Sequence, residues 1–178
     1  MHPSPHEQAL LAYRWLNVGD DRMWLHFPRY WMAFNALYKV VQRPGQREDQ
    51  AVGGVIELFF EKDAAQRCLD LVKGPIDDLV RLPPGDDRRG PHDPDYRGKT
   101  TALANVIGSS TDPIERLSCV MKVVYQVRCN LLHGSKDPAV MRDQELIAYC
   151  TPILEVVVPT LQAIMESHHS VPRPAAGC

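Results

Sequence analysis

The sequence predicts an all-α fold, a bundle of helices with short connections and one long loop rich in proline and glycine. Three observations predict it. Apolar residues recur at helical spacing in one segment after another. No segment alternates apolar and polar residues with the two-residue period of a strand. Glycine and proline fall mostly between the periodic segments, where they start and stop helices.

The elements follow in order. Residues 6–17 read as a first helix, with Ala9, Leu10, Tyr13 and Leu16 on one face and Gly19-Asp20-Asp21 after it. Pro28 suits the first turn of a second helix, where its missing N–H costs nothing. Phe27, Tyr30, Trp31, Phe34, Leu37, Tyr38 and Val41 form its stripe, and Met32, Ala33 and Ala36 make the other faces apolar too. A helix apolar all round is expected at the centre of a bundle. Asn35 is its one amide and should find hydrogen-bond partners in the core.

Pro44-Gly45 ends that helix. Residues 48–62 follow, with Val52, Val55, Ile56, Phe59 and Phe60 inward and Gly53-Gly54 as a local weakness. Residues 64–73 and 75–82 give two short helical pieces. Residues 83–98, with prolines, glycines and charges of both signs, read as a solvated loop that builds no core. Gly98-Lys99-Thr100 is not a phosphate-binding loop, because Asp93 stands where that motif needs glycine and no strand precedes it.

Residues 99–107 suggest a short helix. Ser110-Thr111-Asp112-Pro113 then opens a longer one with a cap and a first-turn proline. Leu117, Val120, Met121, Val124, Val127, Leu131 and Leu132 are its stripe, and Gly134 is its stop. The last helical region spans about 139–167, through Leu146, Ile147, Cys150, Ile153, Leu154, Val157, Leu161, Ile164 and Met165. Pro152 and Pro159 should kink or split it. Residues 168–178 read as a disordered tail, and His168-His169 alone makes no metal site.

A chain of 178 residues with 44% hydrophobic and 24% charged residues has the size and composition of one ordinary domain. We place that domain at 1–167. A net charge of −2 argues against a protein that merely coats nucleic acid, so any RNA contact must come from a local patch. The five cysteines, Cys68, Cys119, Cys129, Cys150 and Cys178, are odd in number and lack two-residue spacing. They read as reduced thiols of a cytoplasmic protein. The start, Met1-His2-Pro3-Ser4-Pro5-His6, does not read as a signal peptide, and no apolar stretch approaches membrane-spanning length. No membrane partner and no cofactor are expected.

The chemistry concentrates at Arg128, Asn130 and His133, at the end of the helix that stops at Gly134. A guanidinium in a groove grips a phosphate bidentately. An imidazole at a helix C-terminus meets the negative end of the dipole and can move a proton near neutral pH. Asn130 can bind a phosphate oxygen or orient the histidine. Such a set suits RNA transesterification, in which a ribose 2′-OH attacks its own phosphorus while a cation holds the developing charge. On a regular helix Arg128 and His133 lie about 140° apart, so the helix end must free His133 to turn. The alternative is local. Both side chains would cap carbonyls or pair with acids such as Asp137 or Glu145.

Val127-Arg128-Cys129-Asn130-Leu131-Leu132-His133-Gly134 resembles the signature of HEPN domains, an arginine followed after four to six residues by a histidine. Trp31-Met32-Ala33-Phe34-Asn35-Ala36-Leu37-Tyr38 resembles an early helix of bacterial HEPN-like proteins. The resemblance implies an up-and-down helical bundle that forms a homodimer. It further implies a metal-independent endoribonuclease in which two copies of Arg128 and His133 share one cleft, with RNA as substrate. A toxin or defence role, with an antitoxin or regulatory protein as partner, follows from the resemblance alone. Two positions depart from the pattern. Cys129 stands where a polar residue commonly follows the arginine. Ser135 stands where some toxins carry a tyrosine that a partner modifies. The rival expectation is a non-catalytic module that binds nucleotide or RNA, or only dimerises.

Overall fold

The structure, a computed structural model, describes residues 22–87, 89, 92–132 and 140–170. The described residues form helices and no strand. They are α1 (Arg22–Lys39), α2 (Glu48–Phe59), α3 (Lys62–Leu71), α4 (Lys73–Arg81), α5 (Gly98–Ser109), α6 (Pro113–Leu132) and α7 (Met141–Ser170). The expected helix at 6–17 and the tail beyond Ser170 lie outside the described residues.

Two long helices organise the bundle. α6 packs against α2, α3 and α5, while α7 packs against α1 and α4. The sequence of α6 explains its place. Asp112 accepts a hydrogen bond from the Ile114 N–H at 3.2 Å, and Pro113 begins the helix. Leu117, Val120, Met121, Val124 and Val127 then fall on one face, and all are buried. Fully burying one such side chain stabilises the fold by about 1.5–3 kcal/mol. Gly53 serves this packing. A Cβ there would lie 2.2 Å from Lys122 Cε and 2.8 Å from Ser118 Oγ. The glycine expected to weaken α2 is the place where α2 comes close to α6.

Several expectations are corrected. Pro28 lies inside α1, not at its first turn, because the helix already starts at Arg22. Nor is α1 central. Phe27, Trp31, Phe34 and Tyr38 are buried, but Leu25 and Met32 are each more than 60% exposed, and Ala33 and Ala36 are exposed beside them. Apolar residues are tolerated at a surface, so an all-round apolar composition does not require all-round burial. Pro152 and Pro159 do not split the last helix, which runs unbroken to Ser170 and so includes residues assigned to the tail. Its predicted stripe, Leu146 to Met165, is buried apart from half-buried Ile164. Tertiary packing on this scale outweighs the loss of two backbone hydrogen bonds.

The length of α7 also corrects the reading of apolar stretches. Met141–Ser167 is 27 residues with a best-window mean hydropathy of 1.5, long and apolar enough to cross a membrane. Counting only unbroken apolar runs missed it. Leu146, Ile147, Cys150, Ile153, Leu154, Val157, Val158, Leu161 and Met165 of this helix are packed into the bundle core.

At the N-terminal ends of α2 and α5, Asp49 joins the two helices. Lys99 Nζ lies 2.6 Å from Asp49 Oδ2, and Arg47 holds the same carboxylate at 3.1 and 3.0 Å. Burial alone would raise this acid, but the bonds from Lys99 and Arg47 outweigh it and lower its pKa. A lowered folded-state pKa means the stabilisation is complete above the ordinary aspartate range and fades as pH falls through the folded value. Asp49→Asn should therefore cost about 1 kcal/mol at neutral pH, kept small by the exposed cations. Thermal melts of both chains at pH 7 and pH 3 should show the difference narrowing at the acid end.

Candidate functional site at the end of α6

The last turns of α6 carry two polar faces. Tyr125 and Arg128, three residues apart, look toward α1 and α2. Gln126 and Asn130, four apart, look toward the segment between α4 and α5. Residues at such spacings share a helix face.

On the first face, the Arg128 guanidinium carbon lies 5.7 Å from the centroid of the Trp31 ring. Its Nη1 is 3.5 Å from Glu48 Oε2 and 4.0 Å from Cys129 Sγ. The arginine side chain keeps 23% of its surface exposed. Glu48 is the first residue of α2. Its Oε1 accepts a hydrogen bond from the Tyr38 hydroxyl, and its Oε2 accepts one from Tyr125 at 3.2 Å. Burial, then the hydrogen bond to Glu48, pushes the Tyr38 phenol far above its ordinary range. Burial, then Cys129 and Glu48, pushes Tyr125 the same way. Both phenols therefore stay protonated as donors.

The buried side-chain polar atoms without a hydrogen-bond partner among the described residues are Trp31 Nε1, Asn35 Oδ1 and Arg128 Nε. Trp31 and Asn35 are one turn apart on α1, and Arg128 lies over Trp31. Asn35 was expected to be satisfied in the core, and its oxygen finds no partner among the described residues. An unmet buried polar group costs about 1–3 kcal/mol, so the two donors on the stacked Trp31–Arg128 pair are costly for the fold.

The second face reassigns Asn130. It is 2% exposed. Its Nδ2 donates to the Gly85 carbonyl at 2.7 Å, and its Oδ1 accepts from Gln126 Nε2 at 2.9 Å and from the Asp87 N–H at 3.4 Å. Those bonds pin the α4–α5 connection to α6. Two residues of α-helix turn the chain by about 200°, which puts Asn130 nearly opposite Arg128. The connection is correspondingly less free than a solvated loop. Pro84 and Gly85 are buried, Thr100 donates to the Pro84 carbonyl at 2.5 Å, and a Cβ on Gly85 would fall 2.0 Å from the Tyr96 ring.

His133, Asp137 and the Gly134 stop lie outside the described residues. Glu145, considered as a partner for Arg128, instead approaches Arg142 at 3.8 Å. Sequence reasoning missed Glu48 and the two tyrosines. Glu48 is 80 residues from Arg128, beyond any spacing rule, and Tyr38 read only as part of an apolar stripe. The one signal was an acid in the first turn of a helix, which the helix dipole explains by itself.

Together, fold and site define an all-helical bundle with an aromatic-lined arginine at the end of its principal helix. Comparisons with protein-family models, with characterised proteins and with solved structures each return no match.

Asn130→Ala should remove the donor for a buried carbonyl and cost about 1–3 kcal/mol. Denaturant melts will register that loss, and limited proteolysis should show residues 82–97 cut faster than in the native chain.

Proposed function

We propose that this chain is a metal-independent endoribonuclease of HEPN type, an up-and-down bundle acting as a homodimer on single-stranded RNA in the cytoplasm. The supporting observation is the state of Arg128. Its guanidinium lies on Trp31, has one long contact to a carboxylate, and keeps a buried Nε without a partner among the described residues. This cation stands five residues before His133. Such a group suits a phosphate, which accepts hydrogen bonds and carries the missing charge.

In the proposed reaction the ribose 2′-oxygen forms a bond to the adjacent phosphorus, and its proton passes to one His133. Arg128 stabilises the charge on the pentacovalent phosphorus. The bond from phosphorus to the 5′-oxygen then breaks, and a second His133, from the other copy, protonates the leaving oxygen. The products are a 2′,3′-cyclic phosphate and a 5′-hydroxyl. A two-fold contact puts the same patch on both sides, which supplies the acid and base that one histidine cannot be at once. A toxin or defence role, held in check by an antitoxin or regulatory protein, belongs to the same reading.

A second reading has an observation of its own. Glu48 partly compensates Arg128, and Asn130 is committed to the α4–α5 connection. Both features suit a module that binds nucleotide or RNA, or dimerises, without cleaving.

Labelled single-stranded RNA incubated in EDTA separates the two. Wild type should generate cyclic-phosphate ends, and Arg128→Ala and His133→Ala should each lower the rate by at least about 100-fold. Equal background from all three proteins would leave only the binding module.

A further inference from the structure

We infer that Glu48 is a positioning residue that aims Arg128 at an anionic ligand, and not a counter-ion that masks it. For the identity of the ligand, a phosphodiester, this rests on the ribonuclease reading above.

Contact geometry separates aiming from masking. A carboxylate that neutralises an arginine grips two of its nitrogens at about 2.7–2.9 Å. Glu48 touches one nitrogen, Nη1, at 3.5 Å. Most of the guanidinium's N–H groups are therefore not directed at Glu48.

Glu48 itself is held in place. One oxygen takes the Tyr38 hydroxyl from α1, the other takes the Tyr125 hydroxyl from α6, and the residue begins α2, where the helix dipole favours a carboxylate. Three helices thus fix the point from which it attracts Arg128. Trp31 supplies the second constraint, a ring face beneath the guanidinium. Nε contributes no orienting hydrogen bond among the described residues. Apart from a weak 4.0 Å contact of Nη1 with Cys129 Sγ, the aim of the fork comes from one carboxylate and one indole.

The sign of a mutational effect tests this. Removing a negative charge beside an arginine raises the local potential, so masking predicts tighter anion binding in Glu48→Gln. Positioning predicts weaker binding. A glutamine has one acceptor oxygen where two tyrosines need two, and its amide nitrogen offers Arg128 no attraction.

The probe is a fluorescein-labelled single-stranded DNA oligonucleotide, which carries phosphodiesters but lacks the 2′-OH required for cleavage. Its anisotropy is titrated with full-length wild type, Glu48→Gln, Arg128→Ala and the double variant, with thermal melts alongside. Glu48→Gln should weaken binding about tenfold, and should change nothing further once Arg128 is alanine. Tyr125→Phe, which keeps the carboxylate and removes one strut, should weaken binding less and in the same direction. It decides the matter if Glu48→Gln does not fold.

Unchanged or tighter binding in the folded variant overturns the inference. So does an equal effect with Arg128 absent, or no binding by wild type. If wild type binds and the cycle holds but RNA is not cleaved, the enzyme reading fails and the role of Glu48 stands. If RNA is cleaved through Arg128 while Glu48→Gln binds more tightly, the reverse follows.

Discussion

One carboxylate, on the first residue of α2, ties three helices together at the end of the bundle. Glu48 accepts from Tyr38 of α1 and Tyr125 of α6 and faces Arg128 of α6. A partly buried charge is tolerated only when its lone pairs and its charge both find partners. Each of the four groups therefore depends on the others being present. The aromatic cluster of Trp31, Phe34, Tyr38 and Tyr125, with ring centroids 5.3–6.1 Å apart, supplies the apolar walls around them. Polar and apolar parts of this region are one packing unit, and α1 owes its orientation to both.

The opposite side of α6 is fixed by different means. Asn130 receives and donates hydrogen bonds, and the connection between α4 and α5 folds against it. That connection has too few apolar side chains to build a core of its own. Its first residues are held through backbone groups, with Pro84, Gly85 and Asp87 each meeting a side chain of α5 or α6. A buried carbonyl must be matched, and an asparagine two residues beyond the arginine does this for Gly85.

Much of the helical frame was legible in the sequence. Apart from the start of α1, periodicity located the described helices to within a few residues, and the stripe of α6 from Leu117 to Val127 and that of α7 lie in the core. The cap at Asp112-Pro113 was readable because capping is local chemistry. What failed was non-local. Proline rules describe an isolated helix, and packing overrode them at Pro28, Pro152 and Pro159. Burial of α1 could not be judged from its apolar residues, since these do not say which face meets a neighbour. Arg128 was visible as an anomaly in an apolar stripe, but its partner lies 80 residues earlier, where no spacing rule reaches. Asn130 was grouped with Arg128 by proximity in sequence, and helix geometry separates them.

The distribution of unmet polar atoms is the strongest physical reason to regard the Arg128 region as more than a structural clamp. Folded proteins match nearly all of their buried donors and acceptors, and exceptions concentrate where something else is to be bound. Among the described residues those exceptions are Trp31, Asn35 and Arg128, and two of the three are donors. A region meant only to cement helices would gain stability by replacing these residues with apolar ones of similar size. Keeping an indole and a guanidinium stacked with an unmet donor on each works against stability on the scale of about 1–3 kcal/mol each. An arriving group that accepts hydrogen bonds and carries negative charge would reverse that cost at the two donors, whereas an apolar surface would deepen it.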